Sequence, residues 1–191
     1  MNTRAAQKSR KRGYGVRFFL FFLTVCTAFS CLVACRTEGR HYFAYADKEF
    51  DAELSGIFLA SGMAFRARLS VEKKHGAGVA QRRLCLQYSD PPLLCGMTLE
   101  AVLLESGEIG EVTVLLENTA VRQDQKALEG LLLPATLLLK QESPSQIQKK
   151  GEGYLLTFLA RSIVLDARGF PTYAQNGSME LSVTRWEEKH S

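Results

Sequence analysis

The chain carries no acidic residue before Glu38, and nothing charged separates Arg17 from Arg36. Histidines are few (His41, His75 and His190) and scattered, each beside a basic residue. None has a cysteine or carboxylate at ligand spacing, so no local zinc motif is present and the three read as solvated side chains. No C-x-x-C, G-x-S-x-G, P-loop or H-E-x-x-H occurs, which removes the usual signatures of redox, hydrolase, nucleotide and metalloprotease chemistry. Asp47, Glu49, Asp51 and Glu53 fall at every second position, the pattern of a charged outer strand face rather than a glycosidase pair. The expectation is a non-enzymatic protein with no cofactor and no metal.

The net charge of +4 misleads if read over the whole chain. Six of the 24 basic residues (Arg4, Lys8, Arg10, Lys11, Arg12 and Arg17) precede residue 35, leaving 18 basic against 20 acidic residues beyond it. A nucleic-acid-binding domain needs its own basic face, so nucleic acid is not an expected partner.

Phe18 to Cys35 is an uncharged run of eighteen residues behind that basic stretch, the layout of an export signal. Its end, Leu32-Val33-Ala34-Cys35, resembles the lipobox of bacterial lipoproteins. The resemblance implies cleavage after Ala34 and a diacylglyceryl group on Cys35; Cys26 and Cys31 sit in poorer contexts. The alternative is an uncleaved transmembrane helix, for which eighteen apolar residues just suffice. Either way the rest of the chain lies outside the cytoplasm, held at the cell membrane on its extracytoplasmic face. The expected division is a signal peptide over 1–34, a lipidated tether over 35–49 and one domain over 50–191.

Beyond residue 50 the hydrophobic period is two. Phe50, Ala52, Leu54 and Phe58 share a face, as do Met63, Phe65, Ala67, Leu69 and Val71, then Leu84, Leu86 and Tyr88. Residues 73–80 read as a glycine-containing loop, and Gly107-Glu108-Ile109-Gly110 as the turn of a hairpin between Leu99, Ala101, Leu103 and Val112, Val114, Leu116. Residues 119–142 turn to Leu, Ala, Gln and Lys. They predict two short helical pieces, 127–133 and 135–141, the second starting at Pro134. Strands at 154–158 and 162–165, a turn at 166–169, a short extended piece at 171–174, a tight turn at Asn176-Gly177 and a last strand from Met179 complete the pattern. Asn176-Gly177-Ser178 also matches a glycosylation sequon, but its turn role fits a bacterial chain better. The class is α+β: eight to ten antiparallel strands with a helical insertion.

The order of these elements is similar to the LolA-like superfamily of lipoprotein carriers. The matching pieces are Gly56-Ile57-Phe58 with Met63–Arg68, Leu86–Pro91, the helical stretch 126–141 and Val164–Pro171. Clostridial lipoproteins of the spore-germination type share this look. The resemblance implies a strongly curved antiparallel sheet, an incomplete barrel, with the helical insertion on its concave side over an apolar cavity. Its candidate lining is Phe58, Phe65, Leu69, Leu86, Tyr88, Leu103, Val114, Leu138 and Phe158. A lipid-anchored chain cannot shuttle as a soluble carrier does. The expected role is therefore binding of an apolar ligand (a lipid or a lipoprotein acyl chain) or of an envelope protein; the alternatives are a scaffold for a cell-wall or spore-envelope enzyme, or an envelope hydrolase. Apolar residues on both faces of neighbouring elements, such as Val102–Leu104 and Leu137–Leu139, fit such a surface, and equally an ordinary sheet–helix core.

Cys85 and Cys95 are the only cysteines beyond the lipobox. A hairpin centred on Asp90 would bring them across from each other for a disulfide. If Pro91-Pro92 redirects the chain, both remain free thiols.

Overall fold

The computed structural model describes residues 42–76, 79–104, 107–116 and 119–189. The export signal, the lipobox with Cys35, the tether up to His41, and His190 lie outside the described residues. Among the described residues no helix is long and apolar enough to cross a membrane.

One sheet of 11 strands forms the molecule. In chain order these are β1 (Phe50–Phe58), β2 (Met63–Gly76), β3 (Val79–Asp90), β4 (Thr98–Leu103), β5 (Ile109–Leu116), β6 (Thr119–Gln123), β7 (Gln146–Lys150), β8 (Gly153–Thr157), β9 (Arg161–Leu165), β10 (Pro171–Asn176) and β11 (Met179–Glu188). In space the order is β6-β5-β4-β3-β2-β1-β11-β10-β9-β8-β7, and every neighbouring pair is antiparallel. Register slips between Glu53 and Leu54, Arg66 and Ala67, Ala101 and Leu103, and Pro171 and Tyr173. Such irregularities bend strands, which curves the sheet into an open half-barrel. The chain meanders from β1 to the β6 edge, crosses over, and meanders back from the β7 edge. The crossing segment contains a 3-10 turn (Gln125–Leu128) and one helix, α1 (Glu129–Leu139). Topology therefore takes the crossing segment, with α1 inside it, from the β6 edge to the β7 edge, and the buried leucines of α1 put it on the concave face.

The alternating residues face inward as their period requires: Phe50, Phe65, Leu69, Val71, Leu84, Leu86, Tyr88 and Leu99 are all buried. Several expectations are corrected. The helical region is a single helix that runs through Pro134. Proline removes the hydrogen bond to the Gly130 carbonyl, and Gly130 is exposed, so water can serve that acceptor. Residues 73–76 and 79–80 belong to the long strands β2 and β3 instead of to a loop, and Ile109-Gly110 belong to β5. Residues 119–123 are the edge strand β6, and β7 is a further strand that the apolar pattern had not marked. Finally, the polar-looking stretch before residue 50 is not all tether, because Phe43, Tyr45 and Ala46 are buried in the main core. Their aromatic bulk covers apolar surface that would otherwise meet water.

Candidate apolar binding site

Every strand from β1 to β5 turns one row of apolar side chains toward the concave side, and β8 to β11 continue the row. Against it lie Leu132, Ala135, Leu137, Leu138 and Leu139 of α1, with Phe43 and Tyr45 from the entering segment. Of the nine candidate lining residues, Phe65, Leu69, Leu86, Tyr88, Leu103, Val114, Leu138 and Phe158 all join this one buried cluster, none more than 7% exposed. Phe58 is half-buried and packs on its edge. The sheet thus brings the nine together, with the chain's own helix and aromatic segment filling the space between them.

Aromatic rings trace two paths inward from one end of the half-barrel. On one arm the Phe58 ring lies 4.8 Å from Phe65, and Phe65 lies 5.9 Å from Tyr88. On the other, Phe158 lies 5.9 Å from Phe43, and Phe43 the same distance from Tyr45. Tyr45 meets Trp186 edge-on at 5.5 Å, and Trp186 stacks on Phe50 at 3.9 Å.

Three polar side chains hold α1 down, and all act on backbone carbonyls. The Tyr88 hydroxyl donates to the Leu131 carbonyl at 2.6 Å, and the Tyr45 hydroxyl to the Leu138 carbonyl at 2.6 Å. Burial pushes both phenols well above the ordinary tyrosine range, so they stay protonated donors. Arg161 donates to the Leu137 carbonyl at 2.6 Å and also reaches the Thr136 and Lys140 carbonyls. A cation at the last turn satisfies acceptors that a helix leaves open and meets the negative end of its dipole. Its guanidinium also sits 4.5 Å over the Phe158 ring. Burial lowers the Arg161 pKa, opposed by Glu142 and Tyr45 nearby. None of these three roles was visible in sequence, since their acceptors are main-chain atoms of a distant element.

The convex side differs. A groove of about 680 Å³ there is bordered by Glu53, Arg66, Arg68, Gln87, Cys95 and Thr184, a mixed polar surface. Asp51 anchors a charge network beside it, with Arg68 at 2.6 Å and Lys189 at 3.1 Å. Burial works against the Asp51 charge, but hydrogen bonds from Ser70, Arg68 and Lys189 outweigh it and hold its pKa below the ordinary value.

The disulfide expectation is corrected. Cys85 and Cys95 are free thiols. The β3–β4 hairpin pairs Tyr88 with Met97, Gln87 with Thr98 and Cys85 with Glu100, so it turns about Pro92-Leu93 and not about Asp90. That register leaves Cys95 in the turn, five positions from the partner of Cys85, or about 17 Å along the strand. Among the described residues no group of histidines, cysteines and carboxylates is placed to hold a metal ion.

No family model and no curated protein matches the sequence. Among solved structures, the chain is similar to a DUF1329 family protein from Desulfovibrio piger, at 8% identity and a TM-score of 0.47, over 80% of this chain and 92% of that one. It is also similar to a domain from Vibrio parahaemolyticus described as an outer membrane lipoprotein-sorting protein, at 9% identity and a TM-score of 0.48, over 83% and 92% of the two chains. At these values the likeness gives no correspondence between individual residues.

Proposed function

We propose that the chain is a membrane-anchored envelope lipoprotein, attached through Cys35, that binds an apolar ligand between its half-barrel and α1. The ligand class is an acyl chain, from a lipid or from another lipoprotein, and no bond is made or broken. The supporting observation is the helix itself. It is apolar on nearly every side, with Leu131 and Leu133 only half-buried, and its Leu132, Leu137, Leu138 and Leu139 pack into the core of the concave face. A surface helix should be amphipathic, and one that is apolar all round needs apolar surroundings on all sides. Packed on the concave face, α1 keeps its leucines out of water, each worth about 1.5–3 kcal/mol. An acyl chain taking its place would replace that burial at little net cost.

Docking of a protein along the sheet edges is the weaker reading. β6 and β7 are exposed throughout, and Arg122, Gln123, Gln146, Gln148, Lys149 and Lys150 guard them as charged and polar edges guard against pairing.

Native mass spectrometry of the full lipidated chain tests the reading. A non-covalent acyl-bearing adduct at one per chain, beyond the covalent modification, is the expected result. A chain that carries none, and that takes up N-phenyl-1-naphthylamine without saturation, defeats it.

A further inference from the structure

Strand direction sorts the connections onto two ends of the half-barrel. The β1–β2, β3–β4, β8–β9 and β10–β11 turns share one end. The described connections of the other end include β7–β8 and β9–β10, together with the tail after β11. At the second end lie Lys149, Lys150, Glu152, Asp166, Arg168 and Lys189; at the first, Lys140 and Glu142 precede β7, but the hairpin turns at 59–62, 91–97, 158–160 and 177–178 carry no charge.

The two most exposed leucines, Leu159 and Leu93, stand in these hairpin turns, and Leu59 is a third exposed leucine at the same end. Leu159 is fully exposed, Leu93 is 84% exposed and Leu59 is 43% exposed. Each follows or precedes a residue that points inward: Phe158 and Leu94 are buried, and Phe58 packs at the edge of the core. Leu59 and Leu159 thus stand next to the first rings of the two aromatic paths, and Leu93 next to the buried Leu94. A lone exposed leucine needs no explanation, but three in separate charge-free hairpin turns at the rim of one end do. Spatially the tips sit on the β3–β4 arm, at the central β1–β2 turn and on the β8–β9 arm.

We propose that this rim rests on the lipid bilayer, with Leu59, Leu93 and Leu159 entering the boundary between headgroups and acyl chains. The inference deepens the function proposed above by naming where the ligand comes from, and it rests on that reading for the anchor at Cys35. Chain length allows the same bilayer to serve both. The seven residues from Cys35 to Tyr42 span up to roughly 25 Å. Tyr42 packs 5.6 Å from Tyr154 at the start of β8, and Leu159 lies five residues further on, about 17 Å along an extended strand. With no charge in those three hairpin turns, their contact depends on apolar burial and not on anionic headgroups.

The test uses the full lipidated chain in vesicles of phosphatidylethanolamine and phosphatidylglycerol. Leu59→Trp, Leu93→Trp and Leu159→Trp each add one fluorophore to the native Trp186, and Lys150→Trp places one at the opposite end. Brominated acyl chains should quench the added emission at the three tips by about two-fold or more, as expected for shallow insertion, and leave Lys150→Trp unchanged. The quenching should persist in high salt. Equal quenching at the tips and at Lys150→Trp overturns the proposal, as does shielding that appears only when an envelope protein is added. Flotation of Cys35→Ser with the same vesicles separates the two readings. Unquenched tips on an anchored chain sink the rim alone, whereas quenched tips on a chain that floats without Cys35 uphold the rim and sink the lipid anchor.

Discussion

Arg161, at the start of β9, donates a 2.6 Å hydrogen bond to the carbonyl of Leu137 in the last turn of α1. A residue of the far sheet arm thereby terminates the helix that crosses the concave face. Its side chain is only 8% exposed, so little water could replace it.

Arg161→Leu should therefore destabilise the fold by about 2–4 kcal/mol, because it leaves several carbonyls at the helix end without a donor. Arg161→Lys keeps the charge but cannot reach several acceptors with one planar fork, and should recover only part of the loss. Urea unfolding of the detergent-solubilised chain measures both. Equal stability of Arg161→Leu and the parent would show that the contact contributes nothing.

The two tyrosine hydroxyls make a narrower test of the latch. Tyr88→Phe and Tyr45→Phe each delete one hydrogen bond to α1 without opening a cavity, at a cost of about 1 kcal/mol apiece. Amide exchange should accelerate across residues 129–139 and stay unchanged in β1 and β2. If the helix is a lid, the double variant should also take up an apolar probe faster than the parent. Slower or unchanged uptake would speak against opening at α1.

Much of this arrangement was legible in the sequence, and the illegible parts have identifiable reasons. Strands that turn one face to the core must alternate, so β1 to β5 and β11 could be read from Phe50, Phe65, Leu86 or Leu181 alone. The edges β6 and β7 cover nothing on either face, so Thr119–Gln123 and Gln146–Lys150 carry no such rhythm. Pro134 suggested a helix start because proline suits a first turn. In the fold, the burial of Leu132, Leu137 and Leu138 outweighs one missing hydrogen bond. Phe43 and Tyr45 are conspicuous as aromatics, but a segment packed irregularly has no period to announce its burial. Eight of the nine candidates are buried, as their period required; Arg161 was missed because main-chain acceptors have no sequence.

Asp51 sets an acid limit on stability. Its carboxyl titrates below the ordinary value in the folded chain, and near 3.9 once unfolded. The unfolded state then binds the proton more readily, so the contribution is complete above the unfolded value and is lost as pH falls through the folded one. Melting temperature should drop as pH falls below about 4, and Asp51→Asn should show a shallower drop over that range. Parallel acid profiles for the two proteins would remove Asp51 from the account.

The cysteines should behave as two independent thiols. Cys95 is exposed, whereas burial pushes up the pKa of the half-buried Cys85; the thiolate is the reactive form. Maleimide should label Cys95 first and Cys85 slowly under native conditions, and reductant should leave the melting temperature unchanged. A stability loss on reduction would mean a bridge and a different β3–β4 register.

Gly107 ties the β4–β5 turn to the end of the helix. Its φ of +78° is a left-handed conformation, and a Cβ added there would collide with the Leu139 carbonyl. Gly107→Ala thus combines backbone strain with overpacking, and should cost about 2–4 kcal/mol. Gly62 provides the matched control: its φ is +66°, but nothing lies near the added atom. Gly62→Ala should therefore show the backbone term alone, about 1–2 kcal/mol. Because the obstructed atom belongs to α1, only Gly107→Ala should also speed amide exchange in the helix. If both variants lose the same stability and leave the helix equally protected, the turn and the lid are not coupled.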